Sequence, residues 1–471
     1  PAHTHTRARS YFGAESHPPR EFPTDCSGPA PTRPPRVCRC LCCLPLRSGF
    51  PWFKFALACL LHASTALVRF FASLGSQPIY LSLYLSIYLP TPRTSYRERG
   101  LARKSRGDMA ASDEPKVVVL DYKDLAAGND LTAQIKEAYG PEGLGILYVK
   151  NVPGMQEARE DLLPLARRVA QLPEDVLSKY EDSTSYFNIG WSRGKEKFKG
   201  KPDIAKGSFY ANPLVEDPSG GDEEIQKMWP VARPNIWPTE VPELKPALTK
   251  MGRLVHETAK PIIQQVDKLV SEVYPEHGTT LYDRTFNESN FTVTRLLHYF
   301  GVTESDALGD WCGWHNDNST ITGLVPAMWL EEDSGRQVDP IPGAGLFVEG
   351  RKGETIPVAS PKDCLGFQIG EASQILTGGV VQATPHMVKG HITPDGQPKI
   401  SRETYAVFIQ PKWDCVMQEP KGAGFEDIFR GSESDKIPPL SSRLKATPVG
   451  FGELLNQSHL IYYGYNNPGP N

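Results

Sequence analysis

Residues 311–330 read WCGWHNDNSTITGLVPAMWL, with an imidazole at His315 and a carboxylate at Asp317 between two apolar runs. The second run is β-branched and of strand length, and it is bounded by Asn and Asp, which favour turns. Outward from it the same pattern recurs in NFTVTRLLHYFG (290–301), AGLFVEG (344–350), TIPVAS (355–360), CLGFQIG (364–370), VVQATPHMV (380–388) and ETYAVFIQP (403–411). About seven short strands within roughly 120 residues specify a β-sandwich or barrel and not alternating strand and helix units. No phosphate loop and no Gly-x-Gly-x-x-Gly turn interrupts them.

Upstream, VVVLDYKDL (117–125) reads as a strand running into a turn, NDLTAQIKEAYGPEG as a helix stopped by Gly-Pro, and LGILYVKNV as a second strand. Apolar residues then recur at helical spacing over 155–182, where Pro164 and Pro173 are expected to divide or begin the segments. Residues 183–242, rich in Gly, Pro and aromatics, read as an irregular loop layer. A long amphipathic helix over 243–272 is expected to break at Pro261.

The first 108 residues differ in kind. They carry fifteen Lys or Arg, thirteen of them Arg, against five acids, so their net charge is about +10 in a chain that is -4 overall. They also hold six of the nine cysteines and a Leu/Ser/Tyr repeat, and they precede a Met109 whose surroundings look like an ordinary protein start. The expectation is translated upstream sequence, with an Arg-rich organelle-targeting segment as the rival. The apolar run FALACLLHASTALVRFFASL is broken by His62 and Arg69 and makes a poor membrane span. The three remaining cysteines, Cys312, Cys364 and Cys415, are odd in number and far apart, which suits a reducing compartment and a cytoplasmic location. The body from Met109 onward is acidic, near -14, and gives no reason to expect nucleic acid or an anionic membrane as partner. A monomer is the default.

On a strand, His315 and Asp317 would share a face. Two ligands hold a divalent ion weakly, and His386, at the end of a β-rich run, is the best third; GFQIGEASQILTGG would supply the intervening hairpin. Two His and one carboxylate leave metal positions open, a set that suits non-haem Fe(II), and Zn(II) accepts the same ligands. SRETYAVFIQP adds Arg402 and Thr404, again two apart on a strand. An inward Arg beside a metal requires an acidic ligand, because a buried guanidinium is costly unless paired. A hydrolytic zinc site has no such requirement, and a non-catalytic barrel would need none of these residues.

His-x-Asp, a later His and Arg-x-Thr before an apolar strand together resemble the isopenicillin-N-synthase-like 2-oxoglutarate- and Fe(II)-dependent dioxygenases, a family abundant in plants. The resemblance runs from about 117 to 440. It implies a double-stranded β-helix, or jelly-roll, core over 286–415, an α/β N-terminal region over 109–285 and a C-terminal extension over 416–471. It also implies that His315, Asp317 and His386 hold iron, that Arg402 and Thr404 bind the distal carboxylate of 2-oxoglutarate, and that Tyr299 hydrogen-bonds this cosubstrate. The implied reaction takes a small organic metabolite and O2, most simply to a hydroxylated product, and releases succinate and CO2, with ascorbate as an optional reductant. Leu297 stands where the family has Asn, Phe300 where it has Pro, Thr404 for the commoner Ser, and Glu371 for Asp. The His315 to His386 interval is longer than usual, which lengthens loops at little entropic cost. Trp191, Phe209, Tyr210, Trp314 and Trp329 are candidates for the substrate wall. The lysines at 195, 197, 199 and 201 read as a solvated face, and His298 and His391 as non-ligands.

Overall fold

The computed structural model describes residues 116–463, apart from 196, 199–200, 305–310 and 432–433. The leader, its cysteines and Lys199 thus lie outside the described residues. In chain order the first elements are β1 (Val118–Asp121), α1 (Tyr122–Ala126), α2 (Thr132–Tyr139), β2 (Ile146–Lys150), α3 (Met155–Ala170), β3 (Gly190–Arg193), β4 (Lys206–Ala211) and α4 (Leu244–Val273). The β-rich part follows as β5 (Val293–Tyr299), β6 (Cys312–His315), β7 (Ile321–Glu331), β8 (Gly345–Glu349), β9 (Thr355–Pro357), β10 (Cys364–Ile369), α5 (Glu371–Leu376), β11 (His386–Lys389) and β12 (Ile400–Ile409), and the chain closes with α6 (Phe451–Tyr463).

Eight strands of a nine-stranded sheet run in the order β1-β2-β10-β7-β12-β5-β4-β3, and a second sheet runs β9-β8-β11-β6. Leu297, Tyr299, Trp329 and Ala406 from the large sheet pack with Val388 from the small one, so the two inner faces share a core. This is the double-stranded β-helix expected from the sequence. Strands from before residue 285 join the same sheet: β1 and β2 extend it on one side and β3 and β4 on the other.

Helices α3 and α4 cover the outer face of the large sheet. Both run through their internal prolines, Pro164 and Pro261, where a break was expected. An interior proline costs about 3 kcal/mol in a helix. In α4 the apolar stripe Leu248, Met251, Val255, Ala259, Ile262 and Val266 is completely buried, and that packing outweighs a lost hydrogen bond. The stretch 183–242 also departs from expectation by contributing two strands, β3 and β4, whose core-facing Trp191 and Phe209 are buried. Among the described residues no helix is long and apolar enough to cross a membrane.

The segment read as a hairpin before His386 contains instead the helix α5, every residue of which is buried. Its entry is tight: a Cβ on Gly370 would lie 1.9 Å from the Ser319 carbonyl oxygen, so only glycine lets the two backbones meet. The Ser373 hydroxyl donates to the Thr320 carbonyl at 2.7 Å, and the Glu371 N–H to the Asp317 carbonyl at 2.8 Å. The helix thereby clamps the loop that follows β6.

Candidate active site

His315 ends β6 and His386 opens β11, and the sheet register sets them directly opposite one another. Their rings lie 4.2 Å apart between centroids. Asp317 is past the end of β6, in the loop held by α5, so the loop and not strand pleating turns its carboxylate inward. Its Oδ1 is 3.9 Å from His315 Nε2 and 3.7 Å from His386 Nε2. These three are the one cluster among the described residues whose donor atoms all fall within 4.8 Å of one another.

Each imidazole is oriented through its other nitrogen. His315 Nδ1 lies 2.8 Å from the Gly313 carbonyl and His386 Nδ1 3.2 Å from that of Thr384. In the neutral ring a carbonyl partner fixes the proton on Nδ1 and turns Nε2 toward the cluster as a free donor to a metal, the usual support of a metal-binding histidine. Burial and the neighbouring His315 pull His386 down to about 4. Burial also disfavours charge on His315, but the Cys312 sulfur in its thiolate form and Asp317 outweigh it and raise that group to about 9. A divalent cation would meet both Nε2 atoms and the Asp317 carboxylate at once.

A cavity of about 390 Å³ is lined by all three residues and by Tyr299, Arg402 and Thr404. Arg402 on β12 faces Tyr299 of β5 across one ladder and Trp329 of β7 across the other. The guanidinium carbon sits 5.3 Å from the Tyr299 ring and 6.0 Å from that of Trp329. Its Nε and Nη1 are buried and have no hydrogen-bond partner. A guanidinium with two bare donors in an apolar box is costly, and a carboxylate would complete it. Burial raises the Tyr299 hydroxyl to about 12, so it stays a neutral donor. Thr404 lines the same cavity. Its hydroxyl donates to the Val325 carbonyl at 3.0 Å, so its hydrogen is already committed.

A second cavity of about 210 Å³ shares His315, Asp317, Arg295 and Phe408 with the first. Of the five aromatics expected in a substrate wall, Tyr210 lines this second cavity and Trp329 the first. Trp191 and Phe209 point to the opposite face of the large sheet and join the main core. Phe209 and Tyr210 are adjacent on β4, so alternation alone separates them. Trp314 lines neither cavity; it alternates away from His315, and Lys436 Nζ lies 4.4 Å over its ring. His298 is turned away from the cluster and paired with Glu403, and Lys195 is held by Glu181 at 2.7 Å.

Sequence reasoning missed Arg295 and the whole contribution of α6. Arg295 stands four residues before Tyr299 on β5, hence on the same face, and its Nε donates to Ser208 at 2.9 Å. Leu455, His459 and Tyr462 recur at helical spacing and present one side of α6 to the second cavity. The expanded segment after β7 also has a place, since Pro340 to Leu346 close the larger cavity.

Residues 117–240 match the family described as non-haem dioxygenase in morphine synthesis, N-terminal. The chain is 23% identical over 322 residues to a 2-oxoglutarate-dependent dioxygenase of Gibberella zeae, covering 64% of this chain and 77% of that protein. The chain is thus similar to non-haem, 2-oxoglutarate-dependent dioxygenases over its N-terminal region and over most of its body. Solved structures carry the same fold at low identity. A full-length Neurospora crassa protein in complex with alpha-KG superposes with a TM-score of 0.54 at 18% identity, covering 74% of this chain and 98% of the Neurospora chain. JOX2 in complex with 2OG, Fe and JA gives 0.51 at 18%, covering 75% and 86%. The Gibberella zeae relative is a 2-oxoglutarate-dependent dioxygenase, and the His315, Asp317 and His386 donor set of this chain is one that suits Fe(II).

Proposed function

We propose that His315, Asp317 and His386 hold the Fe(II), and that the larger cavity is the 2-oxoglutarate chamber, with Arg402 gripping the distal carboxylate and Tyr299 donating to the cosubstrate. The observation that carries this reading is the buried, unpartnered Nε and Nη1 of Arg402 in the same cavity as the His/Asp/His cluster. Thr404 acts indirectly, by fixing the backbone beside Arg402. Bound Fe(II) and 2-oxoglutarate supply the oxidising chemistry; the chain binds, orients and excludes water around them. The second cavity takes the organic substrate, with Tyr210, Arg295 and Phe408 as its inner wall and α6 as its outer one. Hydroxylation is the outcome we assign. The Neurospora crassa protein has been crystallised with thymine and JOX2 with JA, and a cavity of about 210 Å³ supports a compact metabolite here, plant-type specialised metabolites included. Three free cysteines support a reducing, cytoplasmic setting. Nothing in the acidic body calls for a second copy or a macromolecular partner.

A zinc hydrolase built on the same three ligands leaves the Arg402 guanidinium unexplained. Anaerobic titration separates the two readings. Fe(II) with 2-oxoglutarate is expected to give a visible charge-transfer band that disappears in His315→Ala. Wild-type protein that binds Fe(II) and 2-oxoglutarate without such a band overturns the proposal.

A further inference from the structure

Behind the ligand cluster lies a second, buried layer of polar groups. Glu371, at the start of α5, is completely buried and paired with an equally buried Arg443. Arg443 Nη1 donates to Glu371 Oε2 at 2.7 Å and Nη2 donates to Oε1, a bidentate pair. The same Oε1 accepts from Asn316 Nδ2 at 3.0 Å, and Asn316 stands between His315 and Asp317. The Glu371 N–H meanwhile donates to the Asp317 carbonyl. On its far side Arg443 Nη1 donates to the Ser458 hydroxyl of α6 at 2.7 Å, and its guanidinium carbon lies 5.3 Å from the Tyr462 ring. Tyr462 and His459 of that helix line the substrate cavity.

Glu371 therefore touches the ligand loop twice, at Asn316 and Asp317, and the C-terminal segment through the bidentate pair with Arg443. A merely cohesive ion pair has no reason to end on the residue between two ligands. Buried pairs of this kind add little net stability over apolar residues of equal volume, but they fix geometry where their other hydrogen bonds are specific.

We propose that Glu371 is a positioning residue for the metal loop, and that Arg443 makes docking of α6 a condition of that loop's geometry, so that the substrate wall and the ligand set are assembled together. The proposal rests on the assignment of His315, Asp317 and His386 as ligands.

The test compares wild type, Glu371→Gln, Glu371→Asp, Arg443→Lys and the double variant Glu371→Leu/Arg443→Met. Three quantities are read: thermal midpoint, Fe(II) affinity from the anaerobic charge-transfer titration, and protease cleavage within 451–463. The double variant replaces the pair by apolar groups and is expected to recover the midpoint lost in Glu371→Gln. Its Fe(II) affinity is expected to stay about tenfold or more below wild type, the usual effect of losing an outer-shell partner. Partial rescue of affinity is expected in Glu371→Asp, with α6 cleaved faster in Arg443→Lys. If the double variant is as stable as wild type and binds Fe(II) with wild-type affinity, the pair is only structural and the proposal falls. If wild type itself gives no band, the ligand assignment falls and takes this inference with it.

Discussion

Arg402 and Thr404 line one cavity, yet their hydrogen bonding assigns them different tasks. Arg402 holds buried donors without acceptors, whereas the hydrogen of Thr404 belongs to Val325. A hydrogen bond to a charged group contributes about 1.5–3 kcal/mol, so losing two should raise the KM for 2-oxoglutarate by about 100-fold or more in Arg402→Met. Thr404→Val should change that KM by no more than about fivefold, since it removes less than about 1 kcal/mol of direct binding. It should instead lower stability by about 1 kcal/mol through the orphaned carbonyl. Steady-state kinetics with varied 2-oxoglutarate, paired with urea unfolding, separates the two. A large KM effect in Thr404→Val would mean that its hydroxyl turns to the ligand after all.

At the scale of elements, the reason Thr404 is occupied is a β-bulge. The β7–β12 register shifts between Val325 and Met328, around Pro326, which frees carbonyls on β7. Arg159 of α3 caps two of them, Nε to Pro326 at 2.6 Å and Nη2 to Ala327 at 2.6 Å. Arg159→Ala should therefore cost about 2–5 kcal/mol by leaving both unsatisfied, measurable as a lower urea midpoint with an unchanged m-value. On the outer face of β5 and β12, His298 Nδ1 meets Glu403 at 2.9 Å, and Nε2 is 3.7 Å from Glu332. Burial opposes charge there, but the two carboxylates prevail and raise His298 to about 9. Because the folded-state value exceeds the unfolded one near 6.5, this stabilisation is complete below about pH 6.5 and lost as pH rises through 9, about 3 kcal/mol in all. The stability difference between wild type and His298→Gln should shrink between about pH 6 and pH 9.5; a constant difference would show that the imidazole does not titrate in that window.

The same elements show what could be read in advance. Alternation along β5 and β12 made Tyr299, Arg402 and Thr404 face one way, and the β-rich runs pointed to the jelly roll. His315-x-Asp317 was legible as a pair although the geometry behind it is a clamped loop, because either arrangement needs the same two residue types. The hairpin that proved to be α5 was not legible: six buried residues carry no amphipathic contrast, so a short helix and a buried strand look alike. Nor were Pro164 and Pro261 reliable breaks, since burial of α3 and α4 outweighs a local cost. Arg443 and Glu371 are 72 positions apart, and no local pattern announces their pairing.

At the scale of the whole molecule, the site is two chambers meeting at His315 and Asp317, each closed by parts of the chain far apart in sequence. Leu297 on β5 and Ala344 in the expanded segment border only the larger chamber, and Val231 and Leu455 only the smaller. Filling one chamber should leave the other working. Ala344→Trp should abolish the charge-transfer band and the thermal stabilisation by 2-oxoglutarate with Fe(II), which in wild type amounts to about 2.7 kcal/mol at a hundred times Kd. Val231→Trp should keep both and still release succinate slowly without substrate, but lose the substrate-dependent increase in that rate. The outcome that would sink the two-chamber division is a Val231→Trp protein that no longer binds 2-oxoglutarate, because then both volumes would serve one ligand and the organic substrate would have to approach the metal by another route.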